Sequence, residues 1–416
     1  MLNWANRFSI CCFLDNQQYA GEHHSYECLL GAGALHRLEC NAGEAFSQLK
    51  EFHIQHPDWI FGHLGYDLKN ELFPLTSSHP DPTGFADMFF FVPELVIQLG
   101  RDAMHIGSYG EDHLKIFNEI VTESIEAPVP GISPFEVKQR FSREEYIGII
   151  EQLRQHILRG DCYEINFCQQ FYAEQAVISS VRTYQLLSEL SPNPFAAFYK
   201  VDQRYLLCAS PERYLRKEAQ QLLSQPIKGT TPRDRNDQQL DEQYKAQLFN
   251  SAKDRSENVM VVDLVRNDLA IVCEEGSVKV DELFGIYSFP QVHQMISTVS
   301  GQLRSDLHWT DAIKATFPMG SMTGAPKRKV LELIEKYEAV KRGIFSGAVG
   351  YVTPDSDFDF NVVIRSILYN AADRYLSWLA GGGITFYSDP EMEYEESLLK
   401  AAAIQKVLNG LMPQQP

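Results

Sequence analysis

Positive charge is scarce in this chain: 37 lysines and arginines stand against 55 aspartates and glutamates, a formal charge of −18 at pH 7. Nucleic acids and anionic membranes both require a basic footprint on their partner, so neither is expected here. Long apolar runs are missing too. Nothing approaches the ~20 residues of a membrane-spanning helix, and the opening apolar stretch from Phe8 to Leu14 lacks the strong basic flank and small-residue cleavage site of an export signal. The eight cysteines (Cys11, Cys12, Cys28, Cys40, Cys162, Cys168, Cys208 and Cys273) never fall in C-x-x-C spacing, which favours neither a zinc site nor a disulfide framework. Reduced thiols and a cytoplasmic location follow as expectations. Internal repeats and low-complexity tracts are also lacking.

What is present is material for a large core. With 416 residues, 44% of them apolar and 12% aromatic, the chain exceeds the usual size of one core, so two domains or one large two-layer fold are expected. The run Glu126–Pro134 holds three prolines and a glycine, punctuation that suggests a seam between an N-terminal region, 1–130, and a motif-rich region, 135–412. In the first, Phe89–Val92 and Leu95–Leu99 read as strands. In the second, the spacing of Tyr146, Ile149, Ile150, Leu153 and Ile157 predicts a helix over Arg143–Leu158 that Gly160 stops. Further helices are expected over Leu240–Leu269, Trp309–Thr316, Ala325–Tyr337 and Glu391–Leu408. Strands are expected over Tyr163–Tyr172, Tyr205–Ser210, Gln221–Ile227, Gly347–Thr353, Asn361–Tyr369 and Tyr375–Ala380. Strands interrupted by outer helices imply an α+β fold.

Two segments suggest a paired chemistry. Gln225-Pro226-Ile227-Lys228-Gly229-Thr230 offers a lysine at a strand-to-turn junction, and sixteen positions upstream Ser210-Pro211-Glu212-Arg213 offers a carboxyl group. An uncharged lysine can bond to electron-poor carbon, and a protonated glutamate can help a poor leaving group depart. Taken alone, each is better explained as a solvated surface residue. Acids at helical spacing give the next signal: Asp254 with Glu257, and Glu393 with Glu396, each pair on one helical face. Brought together, the four carboxylates would repel one another unless a cation such as Mg²⁺ sat among them. A competing explanation is that Glu391, Glu393, Glu395 and Glu396 simply open a helix, where the dipole favours acids.

These segments, with Asp254-Arg255-Ser256-Glu257-Asn258, Gly320-Ser321-Met322-Thr323-Gly324-Ala325-Pro326-Lys327, Ile364-Arg365-Ser366, Ala380-Gly381-Gly382-Gly383-Ile384 and Glu393-Tyr394-Glu395-Glu396-Ser397, occur in the order found in the chorismate-utilising enzymes. Residues 140 to 410 resemble that family, which includes anthranilate synthase component I, aminodeoxychorismate synthase component I, isochorismate synthase and salicylate synthase. The resemblance implies two packed, mostly antiparallel β-sheets surrounded by helices, the anthranilate synthase component I-like fold, with chorismate as substrate. It implies Glu257 and Glu396 as Mg²⁺ ligands, with Asp254 and Glu393 acting through metal-bound water. Arg365 would grip a substrate carboxylate bidentately. The backbone of Gly381, Gly382 and Gly383 and the side chains of Lys400, Thr323 and Thr230 would complete the pocket.

Lysine in the Pro-Ile-Lys-Gly-Thr run resembles the aminodeoxychorismate synthases, where anthranilate synthases typically carry alanine. The implied reaction aminates chorismate at C4, with Lys228 adding at C2 and Glu212 protonating the departing C4 hydroxyl. For that, Lys228 must be partly deprotonated, as a low-dielectric or cation-rich pocket would favour, and burial must raise the pKa of Glu212. No cysteine sits in an amidotransferase context, so ammonia is expected from a separate glutaminase subunit or from solution. The alternatives are anthranilate synthase component I, which aminates C2 and expels pyruvate, and a catalytically silent binding or regulatory subunit.

Three positions depart from the family. Glu164 stands where isochorismate and salicylate synthases place a water-activating lysine, Gln294 takes the usual histidine position with His293 one place early, and Phe345 replaces a tyrosine or tryptophan. Lys327 matches a family lysine without an evident role. Cys28-Leu29-Leu30-Gly31-Ala32 lacks the polar residues of the Leu-Leu-Glu-Ser run that helps bind tryptophan in feedback-regulated relatives, so inhibition by tryptophan is not expected.

Overall fold

Ser142 accepts a hydrogen bond from the Glu145 amide while the Glu145 carboxylate accepts one from the Ser142 amide, a capping box that starts the helix Arg143–Leu158 where the apolar spacing predicts it. The computed structural model describes residues 1–19, 26–110, 112–123, 135–289 and 292–411. The proposed seam Glu126–Pro134 lies outside the described residues. Every pairing of described strands is antiparallel, and two large sheets result, as the α+β expectation requires.

The first sheet runs, neighbour to neighbour, through Gly324–Ala325, Glu164–Ala173, Tyr375–Ile384, Ser366–Asn370, Arg204–Ser210, Phe195–Val201, Ile10–Asp15, Cys28–Ala32, Leu95–Leu99 and Met104–Ser108, with Lys138–Gln139 beside Glu164–Ala173. The second runs through Ile227–Pro232, Val292–Gln302, Gln221–Gln225, Arg213–Glu218, Phe358–Asn361, Ala348–Val352, Ile60–Leu64, Met88–Val92 and His36–Cys40, with Lys279–Ser288 beside Val292–Gln302. Both sheets therefore continue from the first 110 residues into the motif-rich part of the chain. Cys11 pairs with Lys200 in one and Phe61 with Tyr351 in the other.

Strand alternation sorts most of the sheets' side chains into two of the three apolar clusters among the described residues, the third gathering Tyr146, Phe167 and Val330. Cys12, Tyr199 and Leu206 of the first sheet meet Phe61, Phe90 and Phe360 of the second in the main core. Cys11, Phe13, Phe198 and Trp378 face the other way, under the helices Ser180–Leu190 and Pro390–Leu411.

Four expected elements differ in detail. The helix over Leu240–Leu269 is two helices, Gln238–Asn250 and Ala252–Ala270. Ser251 between them is extended and its side chain caps the Asp254 amide, a local competition for backbone bonds that apolar spacing does not register. The strand over Gln221–Ile227 divides at Pro226, which has no N–H to give a ladder. The strand over Asn361–Tyr369 is two strands in different sheets, joined by a crossing over 362–365. The strand from Tyr375 runs on to Ile384, so the glycine triplet lies inside it.

Candidate active site

The sheets meet at the end where the chain crosses between them. One crossing carries Glu212, between Arg204–Ser210 and Arg213–Glu218; the other carries Arg365. Backbone bonds tie the two together, Val362 N to Glu212 O at 3.0 Å and Ala209 N to Arg365 O at 3.3 Å. Arg365 has φ 50°, a left-handed conformation that a side-chain-bearing residue adopts only where its surroundings impose it. Glu212 is buried, and burial pushes its carboxyl up to about 7 against the opposing pull of Ser321, Lys228, the Ile227 amide and Arg365. Burial lowers the pKa of Arg365, and the nearby Glu212 offsets part of that.

Lys228 reaches the site through a bulge. Ile227 pairs with Ile296 and Thr230 with Gln294, so Lys228 and Gly229 together oppose Met295 alone. Gly229 has φ +89°, and a Cβ there would meet Leu248 at 2.9 Å and Asp254 at 3.0 Å, which explains the glycine. Lys228 Nζ donates to Glu164 Oε1 at 2.6 Å, and Glu164 Oε2 is buried without a partner. Burial works against the lysine's charge, yet Glu164, Glu257 and Glu212 outweigh it and hold the ammonium well above its ordinary range. These surroundings are carboxylate-rich, the reverse of the cation-rich pocket that would free the amine.

The strand bearing Glu164 is held from several sides. Gly324 and Ala325 pair with Ile165 and Glu164, and Asn166 N donates to Thr323 O at 2.7 Å. Buried Arg342 donates to Glu338 Oε1 (2.6 Å), Asn166 O (2.9 Å) and Met322 O (2.8 Å). The Thr323 hydroxyl donates back into its own turn, to Met319 O or Gly320 O, and is fully buried, so its proton is committed locally. Thr230 is exposed, two residues beyond Lys228.

The glycine triplet sits between these groups and the acidic helices. A Cβ on Gly383 would lie 2.5 Å from Glu164 Oε1 and 2.9 Å from Lys228 Nζ; one on Gly382 would lie 3.3 Å from Glu393 Oε2, 3.5 Å from Lys400 Nζ and 3.7 Å from Glu396 Oε1. Lys400 Nζ donates to Gly381 O and pairs with Glu396 Oε1, both at 2.8 Å. Past the pairing of Leu368 with Ser377, no described strand flanks this edge.

Lys253, which no pattern along the chain singles out, lies among the four acids expected to share a cation. Its Nζ lies 3.6 Å from Glu393 Oε1 and 3.9 Å from Glu257 Oε1. Burial disfavours that ammonium, but Glu393, Glu257, Glu396 and Asp254 together raise its pKa. Burial likewise lifts Glu257 to about 7, and its Oε1 is buried without a hydrogen-bond partner. For Glu396, Lys400, Lys253 and Lys228 overcome burial and lower the pKa. Among the described residues no three His, Cys, Asp or Glu side chains stand close enough to hold one ion by themselves. Oxygen donors, an orphaned buried carboxylate oxygen and a site already stabilised by a cation suit Mg²⁺, which takes one or two carboxylates and completes its shell with water and substrate.

The departures resolve into different roles. His293 bonds Asp241 Oδ1 at 2.8 Å and Ser288 Oγ at 2.9 Å, a structural position. Gln294 is buried with both amide atoms unpartnered. Phe345 packs in the main core. Lys327 pairs with Asp268 Oδ2 at 2.6 Å and ties its helix to the end of Ala252–Ala270. Apart from the site, a cavity of about 60 Å³ lined by Asp15, Tyr26, Glu27, Phe195, Tyr351 and Asp359 adjoins the strand Cys28–Ala32.

Residues 11–406 match the chorismate binding enzyme family. The chain is 41% identical over 278 residues to a probable chloroplastic aminodeoxychorismate synthase of Oryza sativa subsp. japonica, a match covering 65% of this chain and 31% of that protein. It is 34% identical over 355 residues to aminodeoxychorismate synthase component 1 of Klebsiella aerogenes, covering 85% and 77%. The solved structure of anthranilate synthase component I from Streptococcus pneumoniae TIGR4 superposes with a TM-score of 0.80 at 24% identity, covering 93% and 95% of the two chains, and shares the fold. No helix among the described residues is long and apolar enough to cross a membrane.

Proposed function

We propose that this chain, which belongs to the chorismate-binding enzyme family, is aminodeoxychorismate synthase component I, joining ammonia to chorismate at C4. The observation that carries the reading is the primary amine of Lys228 at the centre of the site, near Glu212, whose carboxyl burial holds at about 7. An amine and a carboxylic acid are the two groups that covalent amination needs. Relatives at 34% and 41% identity carry the aminodeoxychorismate synthase name, which supports the same choice.

Arg365 binds one chorismate carboxylate, and the backbone at Gly381–Gly383 with Lys400 receives the other. Lys228 then forms a bond to C2 as the C4–O bond breaks, and Glu212 supplies the proton with which the hydroxyl leaves as water. Ammonia adds at C4, the lysine departs as the conjugated system is restored, and 4-amino-4-deoxychorismate is released. Glu257 and Glu396 would hold Mg²⁺, backed by Asp254 and Glu393. When bound, the ion supplies Lewis-acid polarisation of the ring carboxylate. Ammonia comes from a glutaminase subunit, as the "component 1" of the Klebsiella relative's name is consistent with.

The test incubates the purified chain with chorismate, Mg²⁺ and an ammonium salt and identifies the product by mass and chromatography. With ammonia withheld, rapid quenching should trap an adduct on Lys228 with the mass of chorismate less one water, absent from Lys228→Ala. Anthranilate as the main product, or an equally active Lys228→Ala, would end the proposal.

A further inference from the structure

Lys228 must shed a proton before it can attack, yet three carboxylates hold that proton in place. We infer that Glu164 is the proton acceptor for Lys228, an inference that rests on the nucleophilic role proposed above. Among the described residues it is the side chain hydrogen-bonded to Lys228 Nζ, at 2.6 Å. The contact is sealed: Glu164 is 2% exposed, Lys228 is mostly buried, and Gly383 leaves no atom that could push between them. Glu164 Oε2 is buried with no partner of its own, so nothing but Lys228 competes for the proton-accepting capacity of this carboxylate.

The other charged groups facing Lys228 are less suited. Glu257 and Glu396, on the helices Ala252–Ala270 and Pro390–Leu411, act on it through space without a hydrogen bond. Glu212, on the crossing between the sheets, has to arrive protonated to serve the leaving hydroxyl. Arg365, which faces Glu212, and Lys253, which faces Glu257, carry no accepting atom. The pinning of the Glu164 strand by Gly324–Ala325 and Arg342 fits a base that must keep its position while the lysine moves towards carbon.

The step balances within the site. One proton passes from Lys228 Nζ to Glu164 Oε1, leaving a neutral amine and a neutral carboxylic acid. The amine lone pair makes the N–C2 bond, the C4–O bond breaks, and water leaves with the proton of Glu212, which becomes a carboxylate. The positive charge rests on the adduct nitrogen. After ammonia displaces the lysine as an amine, Glu212 takes a proton from the new ammonium group and Glu164 returns its own to Lys228.

A shared proton predicts a pH signature that a merely structural glutamate would not give. In wild type the reactive tautomer forms inside the pair, so this step does not depend on bulk pH. In Glu164→Gln the lysine has to lose its proton to solvent. The rate of adduct formation in a single turnover without ammonia, read by rapid-quench intact-protein mass spectrometry, is measured for both proteins. The ratio of variant to wild-type rate should rise about tenfold per pH unit between about pH 6 and 9, and Glu212, present in both, cancels. A ratio constant across that range overturns the inference while leaving the nucleophile intact. Absence of any wild-type adduct overturns the nucleophilic role itself. Should Glu164→Gln not fold, Glu164→Ala takes its place with formate added: adduct formation rising with formate supports the inference, and a folded variant indifferent to formate refutes it.

Discussion

Alanine substituted in turn for Gly381, Gly382 and Gly383 should produce three different defects, because the three missing Cβ atoms face three different things. At Gly383 the new carbon would lie 2.5 Å from Glu164 Oε1, whereas ordinary contact begins near 3.4 Å, so the carboxylate has to retreat by most of an ångström and Lys228 Nζ, 2.9 Å away, with it. A displacement of about 1 Å in a reacting group lowers rates by about 10²-fold, so Gly383→Ala should fold, bind Mg²⁺ normally and lose about that factor in adduct formation. At Gly382 the nearest atom is 3.3 Å off and belongs to a side-chain end, Glu393 Oε2. Its neighbours can yield by tenths of an ångström, and the expected effect is a rise of a few fold in the Mg²⁺ requirement. At Gly381 the carbon would fall 1.8 Å from the carbonyl oxygen of Phe167, a backbone atom in the paired strand. That ladder cannot yield cheaply, and a loss of ~3 kcal/mol or more is expected. Urea unfolding, Mg²⁺ titration of turnover and rapid-quench mass spectrometry separate the three. If all three alanine variants lose activity with unchanged urea midpoints and Mg²⁺ dependence, the division of the triplet is wrong.

Further outcomes follow from the same geometry. With Glu212 at about 7, adduct formation should fall above that pH as the acid form is lost, and Glu212→Gln should lower the rate by roughly 10²- to 10⁴-fold, both read in single turnovers across pH. Glu257→Gln and Glu396→Gln should each raise the Mg²⁺ concentration needed for half-maximal turnover; unchanged metal dependence in both removes these residues from the metal site. Lys327→Met strands the Asp268 carboxylate, which burial already raises to about 6, and should lower stability by ~3–5 kcal/mol at pH 8. That loss should be smaller in urea unfolding at pH 5, where the buried group takes up a proton. Ammonium salts should support turnover by the chain alone, whereas glutamine should do so only with a glutaminase subunit added, and glutamine-driven turnover by the isolated chain would contradict this.

Elements with a local punctuation mark were legible in the sequence. Arg143–Leu158 and Trp309–Thr316 begin and end where expected, each started by a capping box, Ser142 with Glu145 and His308 with Asp311. Breaks set by tertiary structure were not. The left-handed Arg365 turns one expected strand into a crossing between sheets, and Ser251 divides a helix whose periodicity reads as unbroken. The site divides in the same way. Paired acids at helical spacing, the lysine before Gly229 and the glycine triplet carry a pattern along the chain. Lys253 carries none, since its meaning comes from acids on a helix more than a hundred residues away. Nor does any local pattern link Glu164 to Lys228, 64 positions apart and brought together by strands of different sheets.

The continuity of both sheets from early to late sequence has a consequence during synthesis. Ile60–Leu64 lies between Met88–Val92, made soon after it, and Ala348–Val352, made much later. At about 5–20 residues per second the ribosome needs roughly 15–60 s to deliver the late strand. Ile10–Asp15 likewise waits for Phe195–Val201 before it is covered on both sides. For that interval apolar strands such as Ile60–Leu64 present an open edge, the surface most prone to pair with a neighbouring nascent chain. Slow translation or crowded polysomes should therefore lower the yield of native protein far more than its equilibrium stability would suggest, and holding chaperones should restore it.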